Sequence, residues 1–350
     1  MNLNIEKINE VYRDVQLVTA PIFNEKGTDA YDDQLLIGGN PTGIANMNTV
    51  RHQWAVKIYN KMWEQFWTPS KVDMSADRVT KNQLTEAEYF SVKETLGFLI
   101  FMDSFQMRNL PNIFDPVTLP MVVAAGTVQT AFESMHTQAY QFMAETLIPP
   151  SERDGIYDRW KDSPALKKRI LTISKIAQDY LNDQTLENYY KLLIANLILE
   201  GLYFYQGFNF FDQLAHRNRI VQSAKQIDYI RRDEFTHMGL FVQMIKELGV
   251  DEELIIAMFR EAVENEIEWC HHNYGNRILG ITTTSSEQYV KYLANDRLGR
   301  LGIAPIYEDI SNPYQHLETA ALQGGKRENF FESTVTSYIQ ADMLSNWDKI

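Results

Sequence analysis

Two short stretches decide the reading of this chain: Glu133-Ser134-Met135-His136 and Glu234-Phe235-Thr236-His237. On an α-helix, residues three apart share a face, so each stretch can offer a carboxylate and an imidazole to one point. With 46 acidic residues in 350, about one of the seven histidines should have an acid at that spacing by chance, and three do. Context separates them. Before Glu133 lies the apolar run Leu96-Gly97-Phe98-Leu99-Ile100-Phe101-Met102, broken by Asp103; before Glu234 lies the apolar stretch 192–211, which contains Glu200. The intervals are 30 residues from Asp103 to Glu133 and 34 from Glu200 to Glu234, so the chain repeats one order, a carboxylate helix followed by a Glu-x-x-His helix. The third pair, Glu268/His271, sits in a helix that is polar on several sides and is expected to lie apart.

Facing each other, the two hairpins would bring four carboxylates and two imidazoles into one cavity, the ligand set of ferritin-like dinuclear carboxylate proteins with one Asp in place of a Glu. An unpaired buried carboxylate costs several kcal/mol, and two divalent cations would balance four of them. An oxygen-rich set with two imidazoles suits iron or manganese, and open coordination positions permit oxygen chemistry. Tyr140, four residues after His136 and seven after Glu133, falls on the same helix face. A phenol there could be oxidised; the competing reading is an ordinary core tyrosine. Phe204, Phe208 and Ile230 fall at helical spacings that could wall the ring in.

Helical periodicity continues on both sides of these stretches. Helices are expected over 49–66, from a capping box at Thr85 and Glu88 to Leu110 before Pro111, and over 120–147, 164–180, 185–215, 223–248, 251–274 and 286–301. The expected fold is all-α, a helix bundle with additional helices, with residues 1–312 as one domain whose first ~35 residues are an extension. Residues 313–350, with Gly324-Gly325 and little periodicity, read as a flexible tail.

The composition narrows the function. Hydrophobic residues make up 45% and charged residues 23%, a globular balance, and a net charge of -13 speaks against nucleic acid as a partner. Cys270, the single cysteine, can form neither an intrachain disulfide nor a thiolate metal cluster and reads as an inert buried thiol. The start, MNLNIEKINEVYRD, has no signal core, which points to the cytoplasm. Asn196, Glu200, Gln206 and Asn209 interrupt the most apolar stretch, so a helix buried in protein fits better than a membrane span.

These residues closely resemble the small, radical-generating (beta) subunit of class I ribonucleotide reductase. The matching segments are Phe66-Trp67-Thr68-Pro69 with Val72-Asp73; Met102-Asp103-Ser104; Glu133 to Tyr140; Glu200; and Arg232-Asp233-Glu234-Phe235-Thr236-His237. Asn329-Phe330-Phe331-Glu332, Tyr338 and Asp342-Met343-Leu344-Ser345-Asn346-Trp347 extend the likeness to the end of the chain. The resemblance implies a ferritin-like homodimer that supplies a one-electron oxidant to a large catalytic subunit reducing ribonucleotides. It implies that Asp103, Glu133 and His136 bind one metal and Glu200, Glu234 and His237 the other, some carboxylates bridging, with Tyr140 as radical site. Trp67, linked by Asp233 to His136, and then Tyr338 would pass the oxidant outward, and 342–347 would dock on the large subunit through Met343, Leu344 and Trp347. Iron, manganese or a mixed pair, the use of Tyr140 or the metals as the store, an activator protein and the phosphate level of the substrate stay open. An oxidase or monooxygenase on the same bundle, or a metal-storage protein, are the rival readings.

Overall fold

Apolar residues recurring every three to four positions must be buried, and among the described residues twelve α-helices bury them on one continuous hydrophobic core. The computed structural model describes residues 10–317. The helices are α1 (Gln53–Gln65), α2 (Ser75–Thr80), α3 (Glu86–Phe114), α4 (Pro120–Leu147), α5 (Pro150–Tyr157), α6 (Arg159–Asp162), α7 (Pro164–Asn182), α8 (Leu186–Ile198), α9 (Tyr205–His216), α10 (Val221–Leu248), α11 (Glu252–Asn273) and α12 (Thr283–Arg300). A π-helical turn, Leu199–Tyr203, joins α8 to α9. Among the described residues there is no strand beyond isolated bridges such as Ile37 with Val117, and no helix is long and apolar enough to cross a membrane.

The expected punctuation sets most boundaries. Thr85 and Glu88 form the capping box of α3, Thr185 caps α8, and Gly249, at φ 63°, closes α10. Three differences have local causes. First, α3 does not stop before Pro111 but runs through it to Phe114. The proline loses one backbone bond near the helix end, whereas continuing the helix buries Ile113 and Phe114 and lets the Tyr189 hydroxyl donate to the Ile113 carbonyl at 3.0 Å. A Cβ on Gly126 would lie 2.3 Å from the Phe114 ring, so glycine is what lets α4 pass there. Second, the rod expected over 185–215 is broken by the π-turn. Third, α2, α5 and α6 are too short to show a period, and Pro150 opens α5 three residues after α4 ends.

The centre of the molecule is built by α3, α4, α10 and the rod of α8, the π-turn and α9. Here α3 lies along α4, α4 against α10, and α10 against α8, the π-turn and α9. α1 packs across α4 and α10, and the 3₁₀ turn Pro69–Lys71 follows it, so Trp67 enters the bundle from the side.

Candidate metal centre

Each of the four central elements turns one or more acids inward. Asp103 comes from α3, Glu133 and His136 from α4, Glu200 from the π-turn, and Glu234 and His237 from α10; all six are fully buried. Their ligand atoms form two overlapping groups, Asp103/Glu133/His136/Glu234 and Glu133/Glu200/Glu234/His237, each lying within 4.8 Å. Glu133 and Glu234 belong to both. Nδ1 of His136 lies 3.0 Å from Glu234 and 3.5 Å from Glu133; Nδ1 of His237 lies 2.8 Å from Glu234 and 3.1 Å from Glu133. The two imidazole rings are 5.8 Å apart. The fold thus brings together all six expected ligands, four from the two Glu-x-x-His stretches and two from the preceding elements.

The π-turn deepens the contribution of Glu200. A π-turn widens the helix and shifts its carbonyls out of the regular ladder. Two distant arginines take up carbonyls there: Arg297 Nε donates to Gly201 at 2.9 Å, and Arg169 Nη2 donates to Tyr203 at 2.5 Å. Gly201 is packed closely against Met238 and Arg297: a Cβ there would lie 3.0 Å from the Met238 sulfur and 3.3 Å from the Arg297 side chain.

Four carboxylates in one dry pocket repel, and the shifts record it. Burial, then the neighbouring carboxylates, pushes Asp103 and Glu200 well above the usual carboxylate range. Burial also opposes charge on the imidazoles, but Glu234 chiefly holds His136 up, and Glu133 and Glu234 hold His237 up at about 9. Glu234, despite burial, is driven far down by the two histidines. Both oxygens of Asp103, Oε2 of Glu133 and of Glu200, Oε1 of Glu234 and Nδ1 of His136 make no hydrogen bond among the described residues. Unsatisfied acceptors converging at this density fit cations rather than a hydrogen-bonded core. The donor set, four carboxylates and two imidazoles, fits two divalent ions of the iron or manganese kind.

Amides hold the carboxylates in place. Gln106 donates to Glu200 at 2.6 Å, Gln129 donates to Glu133 at 3.3 Å and to Glu200 at 3.4 Å, and Asn109 ties Gln106 to Asn196 at 2.9 and 3.1 Å. Reading ligand spacings alone missed Gln106 and Gln129. Their signal was a polar residue three or four positions from a ligand in a largely apolar helix.

On the outer side, Nε2 of His136 lies 3.2 Å from Oδ2 of Asp233, and the same oxygen accepts the Trp67 indole N–H at 2.6 Å. Arg232 donates to Oδ1 of Asp233 at 3.0 and 3.2 Å, and also to the Gln65 carbonyl two residues before Trp67. The Trp67 ring is stacked on that of Tyr229 at 4.9 Å. Tyr140 is fully buried, its hydroxyl has no hydrogen-bond partner among the described residues, and burial with Asp103 raises it well above its ordinary value. Phe204, Phe208 and Ile230 are all fully buried as well. Glu268 and His271 are half-exposed and separately engaged, with Lys168 at 2.6 Å and Glu287 at 3.1 Å. Cys270 is buried, and burial raises its thiol well above the ordinary value. Tyr338 and 342–347 lie outside the described residues.

Residues 44–313 match the family profile described as "Ribonucleotide reductase, small chain". The ribonucleoside-diphosphate reductase subunit beta of Treponema pallidum is 32% identical over 335 residues, covering 92% of this chain and 95% of that protein. Among solved structures, the ribonucleotide reductase R2 subunit from Clostridium botulinum is 35% identical with a TM-score of 0.83, over 87% of this chain and 99% of that one. The dimanganese(II)-NrdF of Streptococcus sanguinis, 24% identical with a TM-score of 0.68 over 77% of this chain and 95% of that one, shares the fold. With a dinuclear carboxylate pocket at the centre of its bundle and relatives spanning nearly its whole length, the chain belongs to the ribonucleotide reductase small-chain family.

Proposed function

We propose that this ferritin-like chain stores a one-electron oxidant at the pocket formed by Asp103, Glu133, His136, Glu200, Glu234 and His237 and hands it out through Asp233 and Trp67. As a ribonucleotide reductase small subunit, an oxidoreductase, it works with the large subunit. One observation carries the reading: a continuous hydrogen-bonded line from Trp67 through Asp233 to His136, ending at two carboxylates shared by both ligand groups.

Two iron or manganese ions bound there would supply the oxidising power, drawn from oxygen or a reduced oxygen species. The protein's own residues control where it goes. Asp103, Glu133, His136 and the shared Glu234 would hold one ion; Glu200, His237 and the shared carboxylates the other. Tyr140, walled from water, can give up an electron and pass its hydroxyl proton to a carboxylate of the pocket, of which Asp103 acts on it most strongly, and its burial keeps the resulting radical from reductants. Trp67 can lose an electron while its indole proton passes along the 2.6 Å hydrogen bond to Asp233, a carboxylate held by Arg232. Without that acceptor the oxidised indole would keep its positive charge in a low-dielectric interior. From Trp67 the oxidant passes to Tyr338, and 342–347 dock on the large subunit through Met343, Leu344 and Trp347. Residues 1–312 form the metal-bearing domain and 313–350 the docking tail of a cytoplasmic homodimer.

The test is Tyr338→Phe in the full chain with its large subunit. Two metal ions per chain with turnover abolished support the reading. Full turnover in the variant rejects the tail route, and mineral-scale metal loading of the parent chain rejects oxidant storage altogether.

A further inference from the structure

Besides Trp67, a second tryptophan, Trp269, is completely buried, and the two are treated in opposite ways. Trp269 stands within two ring contacts of the helices that carry the metal pocket. Its ring is 6.1 Å from Phe98, five residues before Asp103, and Phe98 is 5.9 Å from Phe204, four residues after Glu200. Around it sit other oxidisable groups: Tyr274 at 5.3 Å ring to ring, Cys270 next in the chain, and Tyr203 across Phe98. An oxidant that entered this cluster would be lost to delivery.

Trp67 has an acceptor for its indole proton, whereas Nε1 of Trp269 has no hydrogen-bond partner among the described residues. The guanidinium of Arg169, fully buried, lies 3.9 Å over the Trp269 ring, 3.6 Å over Phe98 and 4.9 Å over Tyr203. It is fixed there by Glu266 at 2.7 Å and by the Tyr203 carbonyl at 2.5 Å. A cation over a neutral ring is attracted to its electron-rich face. Once the ring has lost an electron, the same contact is a repulsion between like charges in a dry interior.

Resting on the functional reading above, we propose that Arg169 is a positioning residue that insulates Trp269, keeping the oxidant on the Trp67 side. Oxidation of Trp269 moves one electron from the indole to the oxidant and leaves an indole cation facing Arg169, its N–H proton without a taker. Oxidation of Trp67 moves one electron likewise, and the proton goes to Asp233.

The experiment compares the full-length chain with Arg169→Met/Glu266→Gln, which removes the cation together with its counter-charge, and with Arg169→Lys, which keeps a cation. Each is oxidised in two ways: loaded with iron(II) and cycled with oxygen, and separately treated with azide radicals, one-electron oxidants that are reduced to azide. Peptide mass mapping reads oxidised Trp269 relative to oxidised Trp67, and circular dichroism confirms folding. The expected result is a ratio at least tenfold higher in the double variant under both oxidants, with Arg169→Lys close to the parent. A folded double variant whose ratio is unchanged under azide radicals overturns the proposal. Equal rises in the double variant and Arg169→Lys overturn it too, because loosened packing would then be the cause. A rise under azide radicals with none in any iron-loaded chain upholds the insulation and counts against the oxidant-storing function instead.

Discussion

Replacing Trp67 with Phe separates the outward route from the metal pocket. The substitution deletes the 2.6 Å indole bond to Asp233 but keeps an aromatic ring beside His136. A hydrogen bond to a charged group contributes about 1.5–3 kcal/mol. Asp233 still keeps His136 and Arg232 as partners, so the lower half of that range applies. The smaller ring leaves a gap of roughly 40 Å³, which at about 24 cal/mol per Å³ adds about 1 kcal/mol. The variant should therefore be less stable by about 3 kcal/mol, read as a fall in the urea midpoint with the slope unchanged. It should still bind two metal ions per chain, because none of the six ligands is touched. Turnover with the large subunit should fall by two orders of magnitude or more, since phenylalanine has no proton to give Asp233. Turnover within a factor of two of the parent, in protein showing the stability loss, would refute the transfer role while leaving the hydrogen bond intact as a structural fact.

Other outcomes follow from the same contacts. Gln106→Leu removes the 2.6 Å donor to Glu200 and should weaken metal binding about 10–100-fold; manganese(II) titration calorimetry giving parent affinity would show that the amide positions nothing. Adding manganese(II) at a hundredfold excess over its Kd should stabilise the chain by about 2.7 kcal/mol per site, seen as a higher Tm, and Asp103→Asn should reduce the gain. A Tm indifferent to the ion would contradict a binding pocket. Burial pulls the Glu88 carboxyl upward, but the Thr85 backbone N–H that it caps, followed by Arg217 at 2.6 Å and Arg219 at 2.5 Å, holds it below its ordinary 4.5. Its contribution is present above pH 4.5 and is lost as pH falls through the depressed value. Glu88→Gln should cost about 3 kcal/mol at pH 7 and shrink the acid-induced loss below pH 4.5; urea curves at both pH values that match the parent would deny the pairing any role in stability.

The site was legible in the primary structure because helix geometry converts a spacing of three into a shared face, and the same order recurs around Asp103 and Glu200. Helix ends were legible where chemistry is local, as at Thr85, Thr185 and Gly249. What stayed hidden is set by partners far along the chain. Pro111 is carried by the burial of Ile113 and Phe114 against other helices, and the carbonyls of the π-turn are met by Arg169 and Arg297, 34 and 96 residues from their acceptors. Gln106 and Gln129 look like ordinary polar residues until the fold aims them at Glu200.

A π-turn holds one residue more than the regular coil it replaces, and that surplus acts as a phase shift. Every side chain of α9 is swung by about 100° from where an unbroken rod would point it. Removing a single residue from 199–203 would thus do more than relocate one acid: Phe208, Phe210 and Phe211, all now inside, would be dialled toward the wrong neighbours. Length in this turn is consequently as constrained as identity, and indels here should be far harder for the chain to absorb than substitutions.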